Sequence, residues 1–143
     1  MQVSDVMTRG VECIPPDATL QEAAALMKEL DVGPLPVCDN DRLAGMLTDR
    51  DIVLRAVAEG RDPRQTRVRD AMTRDIVYCF EDQDVREAVR LMEERQIRRL
   101  AVLDRGKRLV GIVSLGDLAV RAGDDALSGQ ALEQISEPAM PRR

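Results

Sequence analysis

VSDVMTR at residues 3–9 returns as VRDAMTR at 68–74, a displacement of 65 residues, and repetition of this kind limits the architecture before any single element does. At the same displacement Asp17, Glu22, Ala23, Leu26, Met27, Glu29, Leu35, Val37 and Asp39 meet Asp82, Glu87, Ala88, Leu91, Met92, Glu94, Leu100, Val102 and Asp104. One residue is inserted near Lys107 and Arg108. Beyond it the displacement is 66, and Leu43, Gly45, Asp51, Arg55 and Ala56 meet Leu109, Gly111, Asp117, Arg121 and Ala122. The chain is two copies of one unit.

Each copy reads as β-α-β-β-α. A short helical lead-in (residues 5–8) precedes VECI (11–14), which is half apolar and reads as a strand closed by Pro15 and Pro16. A helix follows, capped by Thr19 with Glu22 three residues on, its apolar stripe being Leu20, Ala23, Ala24, Met27 and Leu30. The second copy caps with Asp84 and carries Val85, Ala88, Val89 and Met92 in the same places. LPVC (35–38), DNDR (39–42) and LAGMLT (43–48) give strand, turn and strand, a hairpin. A closing helix starts near Thr48 and stops at Gly60, a residue free to take positive φ. The expected organisation is repeat 1 over 1–60, a polar linker over 61–67, repeat 2 over 68–123, and a short helix with a flexible tail over 124–143. A unit of about sixty residues buries too little surface to be stable alone. The fold class expected is therefore α+β, two such repeats packed sheet to sheet with pseudo-twofold symmetry and related clefts at the seam, where small-molecule pockets tend to form.

Composition removes several function classes. Tyr78 and Phe80 are the whole aromatic complement and the net charge is -5 without a basic run, which argues against a nucleic-acid binder. No histidine is present, so the commonest metal ligand and neutral-pH acid-base group is missing. No nucleophile and base stand in evident company, and the expectation is a protein that is not an enzyme. The N-terminus meets Asp5 with no long apolar run behind it, so neither a signal peptide nor a membrane anchor is expected and the cytoplasm is the expected location. Cys13, Cys38 and Cys79 form an odd set without a CxxC pair, unlike a disulfide scaffold or a structural zinc site.

GMLTDRDI (45–52) and GIVSLGDL (111–118) share a glycine, two apolar residues, a hydroxyl and an aspartate three positions beyond it. Two readings of that spacing stand. In the first, Thr48 with Asp51 and Ser114 with Asp117 are capping boxes, although the box prefers the longer Glu or Gln. In the second, an anion sits at the same helix start, the hydroxyl donates to a phosphate, and the carboxylate accepts from the two hydroxyls of a ribose. Gly45 and Gly111 on the strand leading in permit a close approach.

DVMT followed by LPVCDNDRLAGMLTDRDIV, and DAMT followed by IRRLAVLDRGKRLVGIVSLGDL, resemble the two halves of a tandem CBS-domain pair, or Bateman module, of the stand-alone type similar to hypoxic response CBS proteins. The likeness runs from Val3 to about Gly123. It implies a regulatory or sensor module, dimers in which two modules form a disc, and clefts for an adenosine-containing ligand such as AMP, ATP or S-adenosylmethionine, with no required cofactor. Ribose binding then falls to Asp51 and Asp117, and phosphate or ribose binding to Thr48 and Ser114. The adenine would lie against Gly10, Val11, Cys13, Leu35 and Pro36 in one cleft, and against Asp75, Ile76, Tyr78, Leu100 and Ala101 in the other.

The copies differ where ligand phosphates would point. Arg98 and Arg99 in the second stand where the first has Gly33 and Pro34, so Arg99 and its neighbour either grip a phosphate or pair with acids such as Glu93 and Glu94. Asp49 beside Thr48 would repel phosphate. Cys13 and Cys38 end strands expected to be neighbours and are either a candidate disulfide or two small buried apolar groups. Leu26, Leu54 and Leu91 lie off the main stripes, a surplus that points to a homodimer made through helices. The reading is a non-catalytic module that binds an adenosine ligand and acts on an unknown effector protein. Its alternative is a structural or redox-responsive dimeric interaction protein that binds no nucleotide.

Overall fold

The computed structural model describes residues 1–122 and 125–136. The elements run β1 (Thr8–Arg9), α1 (Leu20–Leu30), β2 (Pro34–Asp39), β3 (Arg42–Thr48), α2 (Asp49–Ile52), β4 (Tyr78–Phe80), α3 (Val85–Arg95), β5 (Arg99–Leu103), β6 (Leu109–Ser114), α4 (Leu115–Asp117) and α5 (Asp125–Ser136). Single 3-10 turns at Val3–Asp5 and Val68–Asp70 form the lead-ins, and π-helical turns at Val53–Val57 and Leu118–Ala122 continue α2 and α4. The terminal stretch that the sequence assigns to a flexible tail lies, from residue 137 on, outside the described residues.

Two compact units emerge, and neither is a contiguous repeat. One joins Met1–Val11 to Val77–Gly106 and the described residues from Val110 on; the other is Glu12–Ile76 with Lys107–Leu109. Each lead-in motif therefore belongs with the body of the other copy. In the unit holding the second copy's body, the sheet order is β1-β6-β5-β4, with β1 antiparallel to β6 and β4 parallel to β5. In the unit holding the first copy's body the hairpin β2-β3 stands where β5-β6 stand, flanked by isolated bridges from Thr73 to Met46 and from Ile14 to Val37.

The Thr73 and β1 contacts explain two glycines. A β-carbon on Gly45 would lie 2.8 Å from the Thr73 carbonyl oxygen, and one on Gly111 would lie 2.6 Å from that of Thr8. What approaches closely at both positions is the lead-in backbone. From the closing helices Arg55 Nη1 donates to the Ala71 and Met72 carbonyls at 3.0 and 3.1 Å, and Arg121 Nη1 donates to those of Val6 and Met7 at 3.2 and 2.9 Å. A guanidinium that satisfies two carbonyls at the end of a one-turn helix fixes that motif in place.

The VECI strand of the sequence reading is not formed; Ile14 alone makes the bridge. Its amide donates to the Pro36 carbonyl at 3.0 Å and its carbonyl accepts from Cys38 at 3.1 Å. The next rungs of a parallel ladder would need amide hydrogens from Pro36 and Pro16, and proline has none. In the second copy Ala101 and Glu81 occupy those places. Glu81 donates to the Leu103 carbonyl at 2.9 Å, and Tyr78–Phe80 is a true strand.

Helix starts follow the sequence closely. Thr19 Oγ1 accepts from the Glu22 amide at 3.1 Å and the Asp84 carboxylate accepts from the Arg86 amide at 2.9 Å. The hairpin turns through Asn40 and Asp41, both at positive φ, as a two-residue connection matched to strand twist requires. Gly60 takes φ 70°. Leu20, Ala23 and Met27 of α1 join Ile14, Leu35, Val37, Leu47, Val68 and Met72 in one core. Ala24 and Leu30, expected in that stripe, are exposed, and Leu26 packs against the core instead. The other core gathers Val3, Val6, Met7, Val85, Val89, Met92, Leu100, Val102, Val113 and Leu118, with Leu91 against it. Of the three leucines taken as surplus, only Leu54 is exposed.

Candidate functional site

The hydroxyl-aspartate pairs are complete capping boxes in both copies. Thr48 Oγ1 accepts from the Asp51 amide at 3.0 Å while Asp51 Oδ2 accepts from the Thr48 amide at 3.0 Å. Ser114 Oγ and Asp117 Oδ2 repeat this at 3.0 and 2.9 Å. Aspartate reaches across because the residue before each helix is extended (φ near -115°, ψ near 160°), which brings its amide back over the first turn. Each box occupies one lone pair of the hydroxyl and one carboxylate oxygen. In the first copy Asp51 Oδ1 is in an ion pair with Arg55 Nε at 3.9 Å. In the second the Ser114 hydroxyl hydrogen and Asp117 Oδ1 lie outside the box, a donor and an acceptor of the kind a phosphoribose needs.

Around Ser114 the second copy has a cavity of about 610 Å³, lined by Arg98, Arg99, Ser114, Leu115, Gly116, Ala119, Gly129 and Leu132. That size suits a small organic ligand. The backbone at its rim is tied down, since the Leu115 amide donates to the Arg98 carbonyl at 2.9 Å. Among the described residues neither Arg98 nor Arg99 is in an ion pair with Glu93 or Glu94. The matching point of the first copy is built differently. There the Asp49 amide donates to the Gly33 carbonyl at 3.1 Å, and the Asp49 carboxylate fills the space over Gly33, its Oδ1 3.0 Å from where a β-carbon would be. One copy has two arginines along the cavity, and the other a carboxylate at the matching point.

Leu35 and Leu100, expected to face an adenine, are buried in the two cores, so only their backbones are available to a ligand. Pro36 and Ala101 are buried on the same strands. Tyr78 is paired with Ala101 across β4-β5 and stands edge-on to Phe80 at 5.7 Å. Cys13, Leu35, Pro36, Thr48, Asp51, Asp75 and Ile76 fall in one unit; Gly10, Val11, Tyr78, Arg99, Leu100, Ala101, Ser114 and Asp117 fall in the other. Sequence reasoning did not find Leu115, Gly116 and Ala119 as pocket wall, although their place beside Ser114 was a usable signal. Gly129 and Leu132 of α5 carried none, lying outside the repeat.

The first copy has a second cluster. Cys38 Sγ donates to Cys13 Sγ at 2.7 Å, with both thiols free and Cys13 exposed. The Ile14-Val37 bridge explains the meeting: side chains alternate, so residues 13 and 38 share the face opposite Ile14 and Val37. The hydrogen bond from Cys38 holds the Cys13 thiol below its usual range, against opposing burial and the Asp41 charge. The same bond, with burial second, pushes Cys38 up. Cys79 stands apart, buried and pushed up to about 12 by that burial.

Two repeats, a shared core order and paired hydroxyl-aspartate boxes define a tandem module, and the chain belongs to the CBS-domain family: the CBS domain model matches residues 3–57 and again 68–123. It is 47% identical over 134 residues to the CBS domain-containing protein YhcV of Bacillus subtilis, covering 94% of each chain. It is 42% identical over 135 residues to hypoxic response protein 1 of Mycobacterium tuberculosis, covering 94% of this chain and 93% of that one. A crystal structure of Hypoxic Response Protein I with two coordinated zinc ions superposes with TM-score 0.75 at 42% identity, over 83% of this chain and 97% of the other. CBSX2 in complex with AMP superposes with TM-score 0.73 at 27% identity, over 86% of this chain and 96% of that one. Among the described residues no group of three or more His, Cys, Asp or Glu is placed to hold a metal ion, and no helix is long and apolar enough to cross a membrane.

Proposed function

We propose that this protein is a regulatory, non-catalytic module whose second copy binds an adenosine ligand bearing phosphate. The observation that carries the reading is the cavity holding Arg98, Arg99 and Ser114 together. A phosphate entering it meets two guanidinium groups that hold their charge at any physiological pH and can each make a bidentate contact. The Ser114 hydroxyl supplies a further donor. Asp117 Oδ1 then takes the ribose hydroxyls, while Oδ2 stays with the Ser114 amide and keeps the carboxylate from turning away. The complex of CBSX2 with AMP supports the ligand class. Asp49 makes the first copy a poor phosphate site, so the two copies differ in affinity. Bound ligand biases the equilibrium between two conformational states of the module by as much as its affinity differs between them, and so changes the surface offered to an effector protein.

Isothermal calorimetry with AMP, ATP and S-adenosylmethionine tests this. One phosphorylated ligand should bind with a stoichiometry near one. Arg98→Ala with Arg99→Ala should weaken it by about tenfold or more, as lost charge-assisted bonds require. Asp51→Asn should leave it unchanged. No heat with any ligand, or equal affinity in the double arginine variant, removes the assignment.

A further inference from the structure

We propose that Cys13 and Cys38 are a reversible dithiol-disulfide couple confined to the first copy, in which Cys13 takes the first attack and Cys38 closes the bond.

Three observations on the same residues meet here. The sulfurs are 2.7 Å apart on one face of the Ile14-Val37 bridge. Cys13 is exposed and Cys38 only 7% exposed, so an external reagent meets Cys13 first. Thirdly, the segment ending in Ile14 lacks the ladder that its counterpart has, because Pro16 and Pro36 cannot donate. In the second copy that job is done by backbone bonds, and Tyr78 and Leu103 stand at the two cysteine positions. A bond between Cys13 and Cys38 would fasten in the first copy what hydrogen bonding fastens in the second. The lowered Cys13 thiol agrees with the order of attack, since the thiolate is the nucleophile.

The oxidant is a low-molecular-weight disulfide of the glutathione class. Cys13 loses its proton and attacks one sulfur of it, giving a mixed disulfide and releasing one thiolate, which takes up that proton. Cys38 then loses its proton and attacks the Cys13 sulfur, displacing the second thiol. The oxidant's disulfide is reduced to two thiols and the protein's two thiols are oxidised to one disulfide, so atoms, protons and the electron pair balance. The charge on Cys13 that discourages ionisation of Cys38 is gone once Cys13 is in the mixed disulfide, and the second step is set in motion by the first. This couple stands independently of the nucleotide reading.

The test uses the full reduced chain with excess oxidised glutathione, then acid quenching, alkylation in denaturant and intact mass. Two of the three thiols should be lost, two reduced glutathiones released per chain and none retained, with a dithiol reductant restoring all three. Cys38→Ser should stop at one glutathione on Cys13. Cys13→Ser should take up glutathione at least about tenfold more slowly, as burial of the remaining thiols requires. Three alkylatable thiols in treated wild type, a stable glutathione adduct on wild type, or Cys13→Ser reacting at the wild-type rate would each overturn the couple. The wild-type arm depends on no variant folding.

Discussion

A methyl group on Gly111 would stand 2.6 Å from the carbonyl oxygen of Thr8, nearer than side-chain carbons come to backbone oxygen. Gly111→Ala must therefore push β1 off β6 or distort both strands, and Gly45→Ala must do the same to the Thr73 bridge. Overpacking of this kind costs about 1–3 kcal/mol. Urea unfolding midpoints should fall for both variants. Gly116→Ala is the control, because its added carbon meets only Ser114 Oγ at 3.6 Å, and its midpoint should barely move.

The capping boxes make a separate prediction. Ser114→Ala removes the acceptor for the Asp117 amide and should cost about 1 kcal/mol, with Thr48→Ala costing about the same. If the hydroxyls served only a ligand, chemical denaturation of the free protein would show no change in either variant.

Alkaline pH should weaken the fold through Cys79. Burial raises its folded value to about 12, above the usual thiol value of 9.0, so the folded state keeps a proton that the unfolded state gives up. The contribution is whole below about 9 and is lost as pH rises towards 12. Cys79→Ala, although less stable overall, should show a shallower fall of unfolding midpoint across that window than wild type; parallel curves would show that the thiol does not carry it.

Val53, Leu54 and Val57 form a run on the first closing helix, 53%, 49% and 61% exposed. We read this face as the contact of a homodimer, since apolar clusters left open on a helix favour association. Sedimentation equilibrium should give twice the chain mass for wild type and one chain mass for Leu54→Glu. A wild-type monomer at high concentration would dismiss the dimer.

Much of the local structure was written in the sequence because its signals are local. Thr19, Asp84, Asn40 and Gly60 each do what their chemistry suggests within a few residues. Other helix ends were less legible: Asp31 and Gln96 close α1 and α3 in the left-handed region, where glycine would have been the usual marker. VECI failed as a strand because two prolines remove donors that only pairing with β2 makes necessary. The exchange of lead-in motifs between copies was hidden because it depends on which body a distant segment meets. It also changes the reading of Gly45 and Gly111, whose bare backbone meets the chain itself. Of the cavity wall, Ser114 and Arg99 were legible in the sequence, while Asp117 is not part of that wall and the α5 side lies beyond the repeat, with no second copy to reveal it.

The most direct measurement of the central claim is a titration of isotope-labelled protein with AMP, followed by amide resonances. The amides of Arg99, Leu115, Gly116 and Asp117 should shift and saturate together, while those of Thr48, Asp49 and Asp51 stay still. Silence at the second copy, or shifts confined to the first, would contradict the account.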